Sequence, residues 1–144
     1  MRKLLIPIFG HSPARAKTAV AEGVAIYQQE QVEIHLLSVQ PGVSGHVAMF
    51  FKPSELHEFH HDAGEADLAP ARALLDLAGI PCQTSMVVGR SAESIARRAR
   101  ELGCDRILMG PESSDGFSGR WLGGLAGQVR HIVGGAGDCQ VLGS

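Results

Sequence analysis

Two patterns of apolar residues alternate along the chain. Continuous apolar runs such as Leu4–Phe9 suit strands buried on both faces, as in a parallel sheet covered by helices. Between these runs, apolar residues recur every three or four positions, which is the period of a helix with one buried face. The predicted strands are Leu4–Phe9, Val32–Val39, Gln83–Val88, Asp105–Met109 and Cys139–Leu142. The predicted helices are Pro13–Glu30, Leu68–Ala78, Ser91–Leu102 and Trp121–Val133.

Capping residues support these helix boundaries. Ser12 is a candidate N-cap, and Pro13 suits the first helical position because its missing N–H has no helical partner there. Gly79 and Gly103 are placed to end the second and third helices. The stretch from residue 43 to residue 65 is the least patterned part of the chain, and Pro53 interrupts any helix there. We therefore expect a long loop with a helical start in this stretch.

Strands that alternate with helices predict right-handed crossovers and one parallel sheet. Ligands of such sheets bind outside the carboxyl ends of the strands, where the strand order reverses. The ends of the first and fourth strands, at Phe9 and Met109, should meet at that edge.

The stretch from Asp105 to Gly127 places a strand, a glycine-rich loop and a helix in succession. This order can form an anion cradle, because backbone N–H groups and the helix N-terminus both favour negative charge. The alternative is an ordinary connection between a strand and a helix that holds no ligand. The stretch itself leaves both interpretations open.

These features resemble the universal stress protein family over nearly the whole chain. The resemblance rests on the first strand with Pro7 and Gly10, on Gly89-x-x-Ala92-x-x-Ile95, and on Asp105 leading to Met109-Gly110. The family's nucleotide motif is Gly, two residues, Gly, nine residues, Gly, then Ser or Thr. Here the same spacing joins Gly110, Ser113, Gly123 and Gly124.

The resemblance implies a Rossmann-like α/β fold, in which a five-stranded parallel sheet of order 3-2-1-4-5 is doubly wound with helices. It implies a homodimer, commonly through the last strands, and a role in stress response. It also implies binding of an adenine nucleotide, ATP or AMP, in some members and its loss in others. Carried over by position, the nucleotide site comprises Pro7, Ile8, Phe9, Val39, Met109, Gly110, Ser113, Gly123, Gly124 and Leu125.

Several substitutions weaken this motif for a triphosphate. Ser113 stands where the family has glycine, and Gly124 cannot supply the hydroxyl that Ser or Thr gives a phosphate. A hydrogen bond to a charged group contributes about 1.5–3 kcal/mol. Phe9 replaces the family's usual Asp, although its ring can stack on a base. Glu112 and Asp115 add negative charge, which Arg120 opposes. A less charged adenosine compound or an empty pocket fits better than ATP.

Composition bounds the remaining possibilities. The 144 residues fit one domain, 1–144, and the net charge of −2 gives no basic surface for nucleic acid. No apolar stretch approaches the ~20 residues of a membrane span. The three cysteines, Cys82, Cys104 and Cys139, form no C-x-x-C pair, so a reduced, cytoplasmic setting is expected. The serine-hydrolase elbow and the P-loop ending are both missing, so we expect no enzyme beyond weak nucleotide hydrolysis.

A cluster of histidines between residues 57 and 61 suggests a different chemistry. His57 and His61 would share one helix face at a spacing that can bind zinc or nickel, which makes a metal-dependent enzyme the remote alternative. A solvated polar segment is the simpler interpretation because no third ligand is evident, so we expect no metal site. The other alternative is a module of the same fold that binds no nucleotide, dimerises and docks protein partners.

Overall fold

The computed structural model describes residues 2–10, 12–42, 45–110, 124–133 and 139–142. Five strands are formed by β1 (Arg2–Ile8), β2 (Val32–Gln40), β3 (Cys82–Val88), β4 (Arg106–Leu108) and β5 (Gln140–Leu142). The helices of the described residues are α1 (Pro13–Gln29), α2 (Gly45–Ala48), α3 (Pro53–Leu77), α4 (Ser91–Leu102) and α5 (Gly124–Val133). Each predicted strand has a counterpart with ends displaced by a few residues, and so does each predicted helix within the described residues, except that α3 begins at Pro53 instead of Leu68.

The strands form one parallel sheet of order β3-β2-β1-β4-β5, which confirms the predicted topology. In the register, β1 pairs along its length with β2, from Arg2 opposite Val32 to Ile8 opposite Ser38. On its other side β1 pairs with β4, Leu5 lying opposite Ile107. The strand order reverses at this β1–β4 junction, so the crevice expected of a doubly wound sheet lies there.

The alternation of side chains along the strands divides the core into two clusters. Leu4, Ile6 and Ile8 of β1 pack on one face of the sheet, against buried residues of α1 and α3. Leu5 and Phe9 pack on the other face, against buried residues of α4 and α5. Because successive side chains of a strand point to opposite faces, neighbouring residues at the end of β1 belong to different environments.

The expected loop between residues 43 and 65 is wrong for most of its length, because α3 begins at Pro53 and runs for 25 residues. Pro53 occupies the first turn of the helix, where a missing N–H costs nothing. The backbone N–H of Lys52 donates to Glu55 Oε1 at 2.9 Å, which fixes this helix start. Pro53 therefore begins a helix where the sequence pattern indicated an interruption.

The ends of the other helices follow the predicted glycines. Gly103 has φ +69° and accepts the left-handed conformation that ends α4, while Gly79 has φ +72° just after α3. Ser91 is the first residue of α4, and Arg90 occupies the N-cap position. None of the helices in the described ranges combines the length with the apolar character that a membrane span needs.

Two leucines near the end of α3 test how this helix packs on the sheet. Leu75 is fully buried, whereas Leu77 is 87% exposed. We predict that Leu75→Ala lowers the free energy of unfolding by about 2–5 kcal/mol, because it leaves a cavity in the core. The same change at Leu77 should alter it by about 0.5 kcal/mol at most. Urea denaturation of both variants measures this, and equal effects would contradict the placement of α3.

Candidate functional site

An arginine of α1 joins the ends of β1 and β4. Arg15 Nε donates a hydrogen bond of 2.8 Å to the backbone oxygen of Met109, the residue that follows β4. Its guanidinium carbon lies 5.3 Å from the centroid of the Phe9 ring, within the range of a cation–π contact. The first turn of α1 is thereby held against both strand ends.

Gly110 lies directly against the same helix. Its φ of +74° is a conformation that residues with a Cβ rarely adopt. A Cβ at this position would lie 3.0 Å from the backbone oxygen of Arg15 and 3.2 Å from the Cβ of Ala19. Glycine is therefore required here both by backbone conformation and by the close approach of α1.

The end of the sheet brings together several of the predicted site residues. Phe9, Val39 and Met109 belong to one buried apolar cluster, and Leu125 of α5 packs against it. We call Phe9, Val39, Met109 and Leu125 the strand-tip cluster. Phe9 and Val39 are 5% and 4% exposed, and Met109 is fully buried. The predicted site therefore contributes an apolar and aromatic wall at this edge.

The other predicted residues are distributed differently. Pro7 is buried within β1, opposite Leu37, and Ile8 packs on the opposite face of the sheet, against α1 and α3. Gly124 is the first residue of α5. Ser113 and Gly123 lie outside the described residues, as do Trp121, Glu112, Asp115 and Arg120. The anion cradle itself, predicted around these loop residues, therefore stays a prediction.

A cleft of about 860 Å³ separates the start of α4 from α5 and adjoins the strand-tip cluster at Leu125. Its polar lining includes Arg90, Gln128 and His131. Arg90 also lies 3.8 Å from the carboxylate of Glu93. A volume of this size is within the range of small-molecule sites. The cleft offers room and a cationic side chain next to the apolar wall.

The histidine segment shows no metal site in the part of the chain that is described. His57 and His61 are exposed on α3, and His60 is buried. Among the described residues, no group of three or more His, Cys, Asp or Glu side chains is placed to hold a metal ion. This observation gives no support to the metal-dependent enzyme.

The cysteines lack the features of reactive thiols. Burial, followed by the nearby thiol of Cys139, raises the pKa of Cys104 to about 11. Burial likewise raises the pKa values of Cys82 and Cys139 above the usual range of a thiol. All three are free and remain protonated at neutral pH, so they are poor nucleophiles.

Arg15 contacts two of the predicted residues, although the sequence alone did not predict a role for it. Its partner Met109 lies 94 positions away in the chain, so no local pattern connects them. The sequence indicates a role for Arg15 only by its position, as a cationic residue in the first turn of the helix that follows β1. Such a residue is ordinarily exposed, and its role becomes visible only when β1 and β4 are adjacent.

The sequence profile of the universal stress protein family matches residues 1–133. No protein with a curated description matches the chain in sequence. Several solved structures share the fold at low sequence identity, and their likeness concerns the fold alone.

Three of these structures contain adenine nucleotides. A universal stress protein in complex with cAMP has a TM-score of 0.72 at 16% identity, with 99% of this chain and 96% of that chain covered. A universal stress protein from Archaeoglobus fulgidus in complex with dAMP has a TM-score of 0.67 at 13% identity, with coverages of 99% and 97%. A family protein from Arabidopsis thaliana with AMP bound has a TM-score of 0.60 at 16% identity, with coverages of 99% and 90%.

Two glycines with similar φ values test the packing of Gly110 on α1. Gly79 has φ +72° and open space around its missing Cβ, so Gly79→Ala should cost only backbone strain, about 1–2 kcal/mol. Gly110→Ala adds a clash with Arg15 and should cost a further 1–3 kcal/mol or so. Urea denaturation measures both values. An equal loss of stability in the two variants would show that Gly110 does not pack on α1.

Proposed function

Since the chain belongs to the universal stress protein family, we propose that it is a small stress-response protein that binds an adenine nucleotide at the ends of β1 and β4. The observation that carries this proposal is the strand-tip cluster, in which Phe9, Val39, Met109 and Leu125 come from four separate segments of the chain. The cleft between α4 and α5 adjoins this cluster at Leu125. An apolar wall for a base therefore lies next to space for a ribose and a phosphate.

The preferred ligand is an adenosine monophosphate rather than ATP. Gly124 has no hydroxyl, and Glu112 and Asp115 add negative charge to the connecting segment. Each further phosphate increases the repulsion from these carboxylates, while the base and ribose contacts stay the same. The nucleotides in the three similar structures are cAMP, dAMP and AMP, each with one phosphate.

Phe9 has the central role in this proposal. It stands where the family has Asp, so it replaces a polar contact with an aromatic face. The base stacks on this ring, which first has to turn out of the buried strand-tip cluster. That movement costs packing energy and makes binding weak. A sensor of abundant nucleotides needs only weak binding and no fast chemistry, and at most slow hydrolysis accompanies it.

A second candidate is a partner-docking module that binds no nucleotide. It is favoured by the burial of Phe9 and Met109, at 5% and 0% exposure, because these side chains then occupy the place of a base. In this candidate the Arg15 contacts serve stability alone. The two candidates make opposite predictions for nucleotide titration.

Titration with AMP and ATP distinguishes the two candidates. We predict that AMP binds more tightly than ATP and that Phe9→Leu weakens AMP binding about fivefold, because stacking on the ring is lost. Phe59→Leu removes an exposed aromatic residue of α3 and should leave the affinity unchanged. The fluorescence of Trp121, the only tryptophan, and thermal unfolding report binding. At about 100 times the dissociation constant, AMP should stabilise the protein by about 2.7 kcal/mol.

A wild-type protein that responds to no adenine nucleotide at millimolar concentration would contradict the nucleotide proposal. It would leave the docking module as the function of this fold.

We also propose that the protein forms a homodimer through the outer edge of β5, as the family resemblance implies. The cysteine pattern favours a cytoplasmic location, and protein partners belong to the docking candidate. β5 is an edge strand because β4 is its only neighbour in the sheet of the described residues. An edge strand can pair with a second copy through its free backbone groups. β3 is the other edge of the sheet and provides a matched control.

Sedimentation tests this dimer with the same substitution at each edge. We predict a dimer at tens of micromolar protein. Gln140→Glu on β5 should shift it towards monomer because it places two like charges near the two-fold axis. Gln83→Glu on β3 should leave the mass unchanged. A monomeric wild-type protein, or a dimer that is sensitive to Gln83→Glu alone, would contradict this interface.

A further inference from the structure

A second cavity of about 410 Å³ lies between α1 and α3 at the carboxyl edge of the sheet, and we call it the α1–α3 cavity. Its apolar lining includes Ile8, Ala16, Ala71 and Leu74, all of which pack on the face opposite the strand-tip cluster. The alanines leave this space open because their side chains do not reach across the gap between the two helices. The volume suits a small molecule and lies at the edge where parallel sheets bind ligands.

One wall of the cavity carries a backbone acceptor that has no helical partner. Pro70 is inside α3 and lacks an N–H, so the carbonyl group of Ala66 receives no hydrogen bond from the residue four positions later. Ala66 and Pro70 both line the cavity and are exposed, so this part of the lining forms its rim. A proline at this position costs helix stability, so its presence in the lining calls for an explanation.

A carboxylate is held in place beside this carbonyl. Asp67 Oδ2 accepts a hydrogen bond of 2.8 Å from Gln40 Nε2, which also donates to Ser38 Oγ at 2.9 Å. Gln40 and Ser38 are 5% and 0% exposed, so a buried network orients the carboxylate. Asp67 Oδ1 lies 2.7 Å from the Cβ position built on Gly10, and only a glycine permits this approach.

The polar atoms of the cavity that can still form hydrogen bonds are therefore acceptors. Asp67 Oδ1 forms no hydrogen bond with the described residues, and the Ala66 carbonyl has lost its helical donor. Lys17 also lines the cavity, but it is exposed, so solvent screens its charge. An ammonium group supplies three donors and a positive charge, which matches a carboxylate and a carbonyl.

We propose that the α1–α3 cavity is a binding site for a small apolar molecule that carries a primary ammonium group. The ammonium donates to Asp67 Oδ1 and to the carbonyl of Ala66. The apolar body contacts Ile8, Ala71 and Leu74. Phe9 lines this cavity as well as belonging to the strand-tip cluster, so the two proposed sites lie mainly on opposite faces of the sheet and meet at this residue.

Hexylamine, 1-hexanol and hexanoate test the site in the full-length protein, because they share an apolar chain and differ in the polar group. We expect hexylammonium to shift the backbone amide NMR signals of Gly10, Asp67 and Leu74 in a saturable way. Hexanol should bind about tenfold more weakly, and hexanoate should produce no saturable shift. Asp67→Asn should weaken hexylammonium about tenfold and leave hexanol within about twofold.

Two alanines of α3 provide a matched pair of variants. Ala66→Leu fills the cavity and should abolish binding of hexylammonium, whereas Ala69→Leu, exposed on the same helix but outside the cavity, should preserve it. Pro70→Ala restores the helical hydrogen bond to Ala66 and should weaken binding about threefold while it stabilises the helix. The amide spectrum of each variant shows whether it is folded.

Three results would overturn the proposal: hexanoate binding as tightly as hexylammonium, full affinity in Ala66→Leu, or saturable shifts confined to other regions. AMP titrated into the same samples separates this site from the nucleotide site. AMP should shift the signals of Val39, Met109 and Leu125, and it should do so equally in Ala66→Leu and wild type.

Discussion

The contact of Arg15 with Met109 and Phe9 is the constraint on which the carboxyl edge of this sheet depends. The guanidinium satisfies a backbone oxygen just beyond β4 and at the same time lies over the ring that follows β1. Gly110 then turns away with a positive φ, because any Cβ would strike the same turn of α1. This packing fixes the backbone conformation at Gly110, the last described residue before the predicted cradle.

Successive side chains of a strand point to opposite faces of the sheet, so the two faces differ in chemistry at this edge. Phe9 and Met109 face α4 and α5, where they form an apolar wall beside a cleft that contains a cationic side chain. Ile8, one residue before Phe9, faces α1 and α3, where Asp67 and a freed carbonyl provide acceptors. The two proposed ligands, which have opposite charge, would occupy neighbouring sites that meet at Phe9.

Much of the fold could be predicted from the chain, because buried parallel strands leave continuous apolar runs and glycines mark helix ends. Leu4–Phe9 and Gly103 are examples of these signals. Pro53 was misread because proline is compatible with a helix start as well as with a break, and the choice depends on the tertiary contacts of α3. The strand order came from the family resemblance, since local periodicity contains no information on which strands are neighbours.

The residues of the two sites were harder to predict, because local patterns contain no information on contacts between distant parts of the chain. Spacing identified Met109 and Gly110, but the roles of Arg15 and Asp67 arise from residues that are distant in the chain. Nuclear magnetic resonance of the Arg15 side chain tests the central contact most directly. We predict that the Phe9 ring current shifts its protons upfield and that Phe9→Leu abolishes this shift. Arg15 protons at random-coil positions in the native protein, unchanged in Phe9→Leu, would contradict the account.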